Sequence, residues 1–430
     1  MEKNTEIFEI NMEEFLRQFK HTLMEPKKLI RLLEKSKVTT PDLSLATGLS
    51  GVLMLSAQLQ EQEKQWEEVG ANMLQYINTN LQPMHLSLWA GLTGIAASTY
   101  LLSNNGKYYS NFLHQINELI VNSTEDFLNQ AKKNIQSGNV QSFDFETIYG
   151  LAGIGRYLLF FSKEEEVNQL INKMIDYFVL LDNQQEVNGF LLSHYFITFD
   201  NQFEDDRNRY QNGHLDLGIS HGICGPLAFL SLAYEQGFNY PKQVEVIHHL
   251  SSILIDFAQE DGEMVWWPSK ISFEEFTNKK LQSYNKYSFA WCYGAPGVAR
   301  TLWLSGRVTN NQLYKELAKH AYSSLSKLNL NQLGLVSPTY CHGYAGLLHQ
   351  TLLMYLETRD ENLYYFMETI KDELLTFFNK NNPLGFYDID YNGNKKTCVG
   401  GLEGISGIWS TIDAVDKLKK PNWSFLFLLD

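Results

Sequence analysis

The chain is expected to fold as an all-α protein, an α/α toroid of seven inner and seven outer helices. Three observations predict this. A Gly-x-x-Gly turn opens into an apolar run seven times, starting at Gly48, Gly91, Gly150, Gly222, Gly294, Gly343 and Gly404. The runs after the glycines are apolar on most faces, as in GLLHQTLLMYL from Gly346, so each helix must be buried on both sides. Between copies lies a second, more polar amphipathic stretch, which supplies a returning helix. Units of this kind cannot bury their apolar faces alone and must stack on one another.

Residues 1–45 read as a polar, helical lead-in with a break near Pro41. From there each glycine turn feeds a helix of a few turns. Glycine is a poor helix residue but a good one just before a helix, because it allows close backbone approach and tight turns. The returning helices are expected near Gln65–Asn78, Tyr109–Asn129, Glu164–Leu181, Gln243–Gln259 and Asn311–Leu328. In a closed ring all seven turns gather at one end, around a cavity faced by helix N-termini. The repeat spans about residues 47–409, so the 430-residue chain reads as one large domain.

Two stretches break the pattern, 188–215 and 262–289, in the two longest intervals. They hold strand-like runs, GFLLSHYFITF and GEMVWWPSKISF. Either they pair as a small β-containing insertion or they form two long surface loops.

Composition narrows the partners. A formal net charge of −14 argues against nucleic acid, which needs a basic surface, and is compatible with a cationic partner. The first 20 residues lack the uninterrupted apolar core of a secretory signal, and no stretch approaches the apolar length of a membrane span. A cytoplasmic location is expected. Four cysteines make no disulfide framework, so clustered ones point to a metal or a nucleophile.

Only three repeats carry metal-type ligands at the turn. His221 lies one residue before Gly222, Cys292 two before Gly294, and Cys341 and His342 two and one before Gly343. Two thiolates and one imidazole are a zinc set that leaves a fourth position open for a reactant. Two thiolates already neutralise Zn²⁺, which favours holding an incoming thiol as thiolate over activating water. Thiol alkylation is therefore the expected reaction class, and His221 is the natural acid or base. Cys224 and Cys398 read as small buried hydrophobes. Trp291 and Tyr293 either pack or line a substrate cavity. Asp144 and Glu146, just before Gly150, either cap that helix or orient a catalytic group.

The segments Trp291-Cys292-Tyr293-Gly294, Cys341-His342-Gly343 and Gly218-Ile219-Ser220-His221-Gly222, in a sevenfold Gly-x-x-Gly frame, resemble the lanthionine synthetase C family. The resemblance covers essentially the whole chain and is strongest to the stand-alone cyclases of class I lantibiotic biosynthesis. It implies an α/α toroid with a small SH2-like α+β insertion, one zinc ion, and thioether ring formation. In that chemistry a peptide cysteine adds to dehydroalanine or dehydrobutyrine. The resemblance implies Cys292, Cys341 and His342 as zinc ligands, His221 as acid and base, and Tyr293 and Trp291 at the site. It also implies a dehydrated precursor peptide as substrate, and a dehydratase and exporter as partners at the inner face of the membrane. Two positions depart from the family pattern. Glu146 stands where aspartate is common, and Asp144 is placed to share its role. Ser288 stands where arginine is often found, with Lys286 or Arg300 as substitutes. Readings outside the family remain open: zinc-assisted transfer to glutathione or a prenyl group, and a non-catalytic helical scaffold with a structural zinc.

Overall fold

The computed structural model describes residues 15–35, 42–282 and 288–430. Lys286 and Pro41 lie outside the described residues, as do residues 283–287 of the second insertion stretch.

Each glycine turn is followed at once by an inner helix: Ser50–Leu59, Leu92–Leu102, Leu151–Leu158, Cys224–Glu235, Ala295–Val308, Tyr344–Thr358 and Ile405–Asp416. Every inner helix touches the next, and the seventh touches the first, so the ring is closed. These helices bury nearly every residue, as their all-round apolar sequence requires.

Six outer helices return between them: Gln65–Thr79, Ser110–Ser137, Glu165–Leu181, Gln243–Asp256, Gln312–Leu325 and Glu361–Thr376. They are amphipathic. Glu165–Leu181, for example, buries Val167, Leu170, Ile171, Met174 and Phe178 on one face and leaves its acidic residues outside. The seventh outer place is taken from the other end of the chain. The helical residues 15–35 put Phe15 against Phe378 (5.1 Å between ring centres) and against Trp409 of the seventh inner helix (6.3 Å). Among the described residues no helix is long and apolar enough to cross a membrane.

The turns are joined by backbone hydrogen bonds that run around the rim and close on themselves. Ala46 N–H donates to Trp89 C=O (2.9 Å), Trp89 to Ile148 (3.3 Å), Thr147 to Ser220 (3.2 Å) and Ile219 to Cys292 (3.1 Å). Cys292 then donates to Cys341 (3.2 Å), Cys341 to Leu402 (3.0 Å), and Leu402 back to Ala46 (3.1 Å). Every acceptor in this collar is the residue two before a repeat glycine.

The glycines are there because the incoming segment lies directly on the helix start. A Cβ on Gly91 would sit 1.9 Å from His85 O, and one on Gly346 would sit 2.1 Å from Tyr340 O. The same backbone clash, with the carbonyl six residues back, would occur at Gly48, Gly94, Gly153, Gly222, Gly294, Gly343 and Gly407.

The bore of the ring is filled by the last residues of the chain. The 3-10 turn Asn422–Phe427 and the residues after it are almost wholly buried. Trp291 Nε1 donates to Phe427 O (3.2 Å), Arg300 Nε to Leu429 O (2.9 Å), and Arg156 to Asp430 O (3.0 Å). The Phe427 ring stacks on Tyr340 (3.5 Å) and meets Trp89 (4.9 Å) and Trp291 (5.5 Å) from below.

The two irregular stretches meet. His214–Asp216 pairs antiparallel with Lys270–Ser272, and the short helix Phe273–Asn278 follows. Two separate hairpins flank this pair in sequence: Gln184–Val187 with Phe190–Ser193, and Gln259–Asp261 with Met264–Trp266, the second packed on the outer helix Gln312–Leu325.

Gly91→Ala isolates the close-approach constraint, because φ at Gly91 is −144°, an angle any residue adopts. The variant is expected to lose about 3 kcal/mol or more in urea unfolding, or not to fold. Gly138→Ala, at a left-handed helix end with nothing within 4 Å of the new Cβ, should cost only about 1 kcal/mol.

Candidate functional site

The collar forms the floor of a cavity of about 460 Å³ at one mouth of the ring. All seven acceptor residues of the collar line it. So do Thr47, Ala90, Tyr149, His221, Tyr293 and Glu403, which stand one residue before their repeat glycines. The residue three before each glycine points the other way. Leu45, Leu88, Thr147, Ile219, Trp291 and Tyr340 are all fully buried, and Trp291 and Tyr340 meet Phe427 in the bore.

Cys292 and Cys341 are therefore neighbours by construction, one backbone hydrogen bond apart on the collar. Their thiols are free and hydrogen-bond to each other. That bond pulls the Cys292 thiol below the usual thiol range, against the opposing effect of burial and with the His342 charge assisting. The same bond, together with burial, pushes Cys341 well above that range. Cys224 and Cys398 stand apart from this pair: burial pushes the first thiol up and carries the second to about 12.

His342 follows Cys341. Its Nε2 lies 3.1 Å from Asp388 Oδ1, at ion-pair distance but without hydrogen-bond alignment. Asp388 is itself held by the hydroxyls of Ser337 (3.1 Å) and Thr339 (3.0 Å). Burial would lift the Asp388 carboxyl, but the adjacent His342 charge and the Thr339 and Ser337 hydroxyls outweigh it and hold the group below its ordinary value. An imidazole backed by a carboxylate on one nitrogen is the usual setting of a metal-ligating histidine.

The zinc set implied by the sequence suits these side chains by type: two neighbouring sulfurs, one nitrogen, and an outer carboxylate. Among the described residues no three such side chains are already arranged as a metal cage. Binding would require both thiols to lose their protons.

On the turn next to Cys292, His221 Nδ1 lies 2.6 Å from Glu146 Oε2. Glu146 is fully buried. Its other oxygen accepts from the backbone N–H of Gly150 (2.8 Å) and of Tyr149, at the start of the third inner helix. The longer arm of glutamate is thus spent bridging a helix N-terminus to the imidazole. Burial pulls the His221 imidazolium down. The hydrogen bond and charge of Glu146, with Asp216 behind them, more than offset this, so the group titrates above its ordinary value. Tyr149 stacks on the imidazole (6.4 Å, 16°) and Phe203 meets it edge-on (5.9 Å).

Several sequence readings need correction. Trp291 does not line the cavity; it is fully buried in the bore phase, with its N–H on Phe427. Asp144 neither lines the cavity nor shares the role of Glu146. It is buried, and its carboxylate accepts from Gln141 N–H (3.0 Å) and the Asn134 amide, capping the short helix Ser142–Phe145. Tyr293 does line the cavity, but its hydroxyl donates to Asp216 Oδ2 (2.9 Å). Burial and Asp216 push its phenol far above the ordinary value. Arg300 is no stand-in for an arginine at 288. It lies inside the bore on Leu429 and Glu357, while Ser288 Oγ donates to Tyr293 O (2.7 Å).

Other residues at the site were not anticipated. Glu403 lines the cavity, and burial, with Asp388 nearby, raises its carboxyl above the ordinary value. Tyr149 and Glu403 carry a signal that was available, since both occupy the His221 and His342 phase of their repeats. Asp388 and Tyr391, on the hairpin of Asp388–Ile389 and Lys395–Lys396, carry none. Tyr391 reaches within 6.1 Å of the His342 ring. Lys270, on the second strand-bearing stretch, pairs with Asp206 (2.6 Å) and lies 3.6 Å from Asp216.

Comparison with known proteins gives concordant findings. A family model described as lanthionine synthetase C-like protein matches residues 39–428. The nisin biosynthesis protein NisC of Lactococcus lactis subsp. lactis is 27% identical over 374 residues, covering 85% of this chain and 84% of that protein. A solved structure of nisin cyclase superposes with a TM-score of 0.77 at 24% identity, covering 94% of this chain and 96% of that one. This structural likeness supports the α/α toroid.

The His221–Glu146 pair predicts a pH signature. Protonation of His221 favours the folded state, because its folded value lies above the ordinary 6.5. That contribution is full below about pH 6.5 and is lost as pH rises through the raised value. Glu146→Gln keeps an oxygen for the helix N-terminus but removes the charge. The His221 midpoint, followed by NMR of its ring protons, should fall in the variant. The stability margin of the unmodified protein over the variant should shrink as pH rises. An unchanged midpoint would show that Glu146 does not set the charge of His221.

Proposed function

Because the chain belongs to the lanthionine synthetase C-like family, we propose that it is a zinc-dependent peptide cyclase that forms lanthionine and methyllanthionine rings. The observation that carries this reading is the pairing of Cys292 with Cys341 on the collar, next to the turn of His221, whose imidazole is held by the buried Glu146. The substrate would be a dehydrated lantibiotic precursor peptide, the kind of substrate that the relatives' names suggest.

Cys292, Cys341 and His342 would hold the zinc ion. When bound, it would keep the substrate sulfur in its thiolate form at neutral pH. The remaining work falls to the chain itself. The peptide sulfur attacks the β-carbon of dehydroalanine or dehydrobutyrine, the double-bond electrons move to the carbonyl, and the resulting enolate takes a proton at the α-carbon. The thiol loses one proton and the α-carbon gains one, so no further reactant is needed. With Nδ1 held by Glu146, Nε2 of His221 is the nitrogen that exchanges a proton. The raised titration of His221 favours its protonated form and so suits delivery to the enolate. Buried Glu146 stabilises the imidazolium and fixes the ring. Tyr293 and Tyr149 form part of the cavity wall.

Transfer of a long isoprenoid is disfavoured, because the ring interior that would form its apolar tunnel is packed with residues 422–429. The family resemblance also implies work beside a dehydratase and an exporter at the inner face of the membrane, and we extend the proposal to that setting.

Cys341→Ala should lose zinc and cyclisation together. His221→Asn should keep zinc and lose turnover by roughly 10²-fold or more. The assay is mass spectrometry of a dehydrated precursor peptide after thiol alkylation, with metal content measured on the same protein. Ring formation by zinc-free Cys341→Ala protein would overturn the proposal, and normal turnover by zinc-loaded His221→Asn would remove His221 from it.

A further inference from the structure

Beside the collar cavity lies a second cavity of about 380 Å³, lined by His85, Leu86, Ser123, Phe127, Phe143 and Tyr149. Its walls carry no formal charge other than what His85 could take on, and most of its surface is aromatic or aliphatic. It does not stand alone. Tyr149 belongs to both cavities, with its ring stacked on His221 on one side and met edge-on by His85 (5.5 Å) and Phe143 (5.0 Å) on the other. Phe143 in turn meets Phe203 (4.6 Å), which meets His221 (5.9 Å). A continuous aromatic wall therefore runs from the imidazole to the groove.

The wall is open to solvent where a folded protein would ordinarily cover it. Phe143 is 37% exposed. On the outer helix Ser110–Ser137, Leu119, Ser123 and Phe127 follow at four-residue spacing along one face, and Leu119 is 55% exposed. The strand-bearing stretches fix the far side. Asn201 donates to Gly138 O (2.8 Å) at the end of that outer helix, and Lys270 lies over the Phe203 ring at 5.8 Å. A concave apolar groove held by well-anchored elements, sharing a wall with the reacting centre, is the form of a specificity pocket.

We propose that this groove binds an apolar side chain of the peptide substrate next to its reacting cysteine. The proposal rests on the cyclase reading and adds to it the residue class that the enzyme prefers. Continuity with the His221 wall identifies the occupant, since whatever fills the groove is one ring away from the atoms that exchange protons. A side chain anchored there orients the peptide across the cavity toward Cys292 and Cys341. The absence of a charged lining makes leucine, isoleucine or phenylalanine the suitable occupants, and lysine or glutamate unsuitable.

The test uses the zinc-loaded full chain and synthetic peptides with one dehydroalanine and one cysteine. The two positions on either side of the cysteine carry leucine or alanine in turn. The unmodified protein should cyclise the best leucine peptide with kcat/KM about tenfold or more above its alanine counterpart. Ser123→Trp, which fills the groove from an exposed helix position, should bring that ratio close to one, and so should Phe143→Ala. A ratio unchanged in both folded variants, or no leucine preference at any position, would overturn the proposal. Anisotropy of fluorescein-labelled peptides is measured in parallel. If neither peptide is cyclised, the cyclase reading fails, while tighter binding of the leucine peptide that is lost in Ser123→Trp still supports the groove. Equal binding of both peptides counts against the groove even where cyclisation proceeds.

Discussion

The closed collar of backbone hydrogen bonds is the constraint on which the rest of the molecule depends. Each bond is ordinary, contributing about 1 kcal/mol net. Their closure matters more than their sum. A cycle in which each turn donates to the next has no open edge, so no turn can shift register without leaving buried amides unpaired on both sides. The collar also explains the glycines. The segment that carries each hydrogen bond must lie on the helix it feeds, and a Cβ at Gly91 or Gly346 would overlap a carbonyl oxygen.

From the collar follows a threefold division along each incoming segment. The third residue before the glycine is buried and is apolar in most copies. The second supplies the collar carbonyl and the cavity floor. The first stands in the wall of the cavity. The chemistry is written in the last two places: sulfur at Cys292 and Cys341, imidazole at His221 and His342, carboxylate at Glu403. Glu146 is different in kind. It reaches the site by bridging a helix N-terminus and His221, a geometry that gives the glutamate arm a use that the repeat alone does not specify.

Much of this was legible in the sequence because repetition makes it so. Seven glycine turns with apolar followers dictate stacked helix pairs, and equal phasing of two cysteines dictates their meeting. Trp291 was open to misreading because it adjoins Cys292. The same phase in other copies, Leu45, Leu88 and Ile219, shows that the position faces inward. Asp144 satisfies local backbone and amide donors, which no spacing rule separates from a catalytic carboxylate. Asp388, Tyr391 and the filling of the bore by the tail lie outside the repeat, so no pattern announced them. The pairing of His214–Asp216 with Lys270–Ser272 joins segments too far apart for periodicity to link.

The tail that fills the bore also dictates an order of assembly. Residues 422–429 are core to helices that begin at Ser50, and residues 15–35 cover a helix that begins at Ile405. A ribosome releasing this chain from its first residue would expose an incomplete arc of apolar helices, with neither its seam closed nor its centre filled. Contacts of such long sequence separation are slow to form and leave sticky intermediates. The architecture that encloses the cavity in the folded protein therefore makes the growing chain dependent on residues 422–429, and vulnerable to self-association until they arrive.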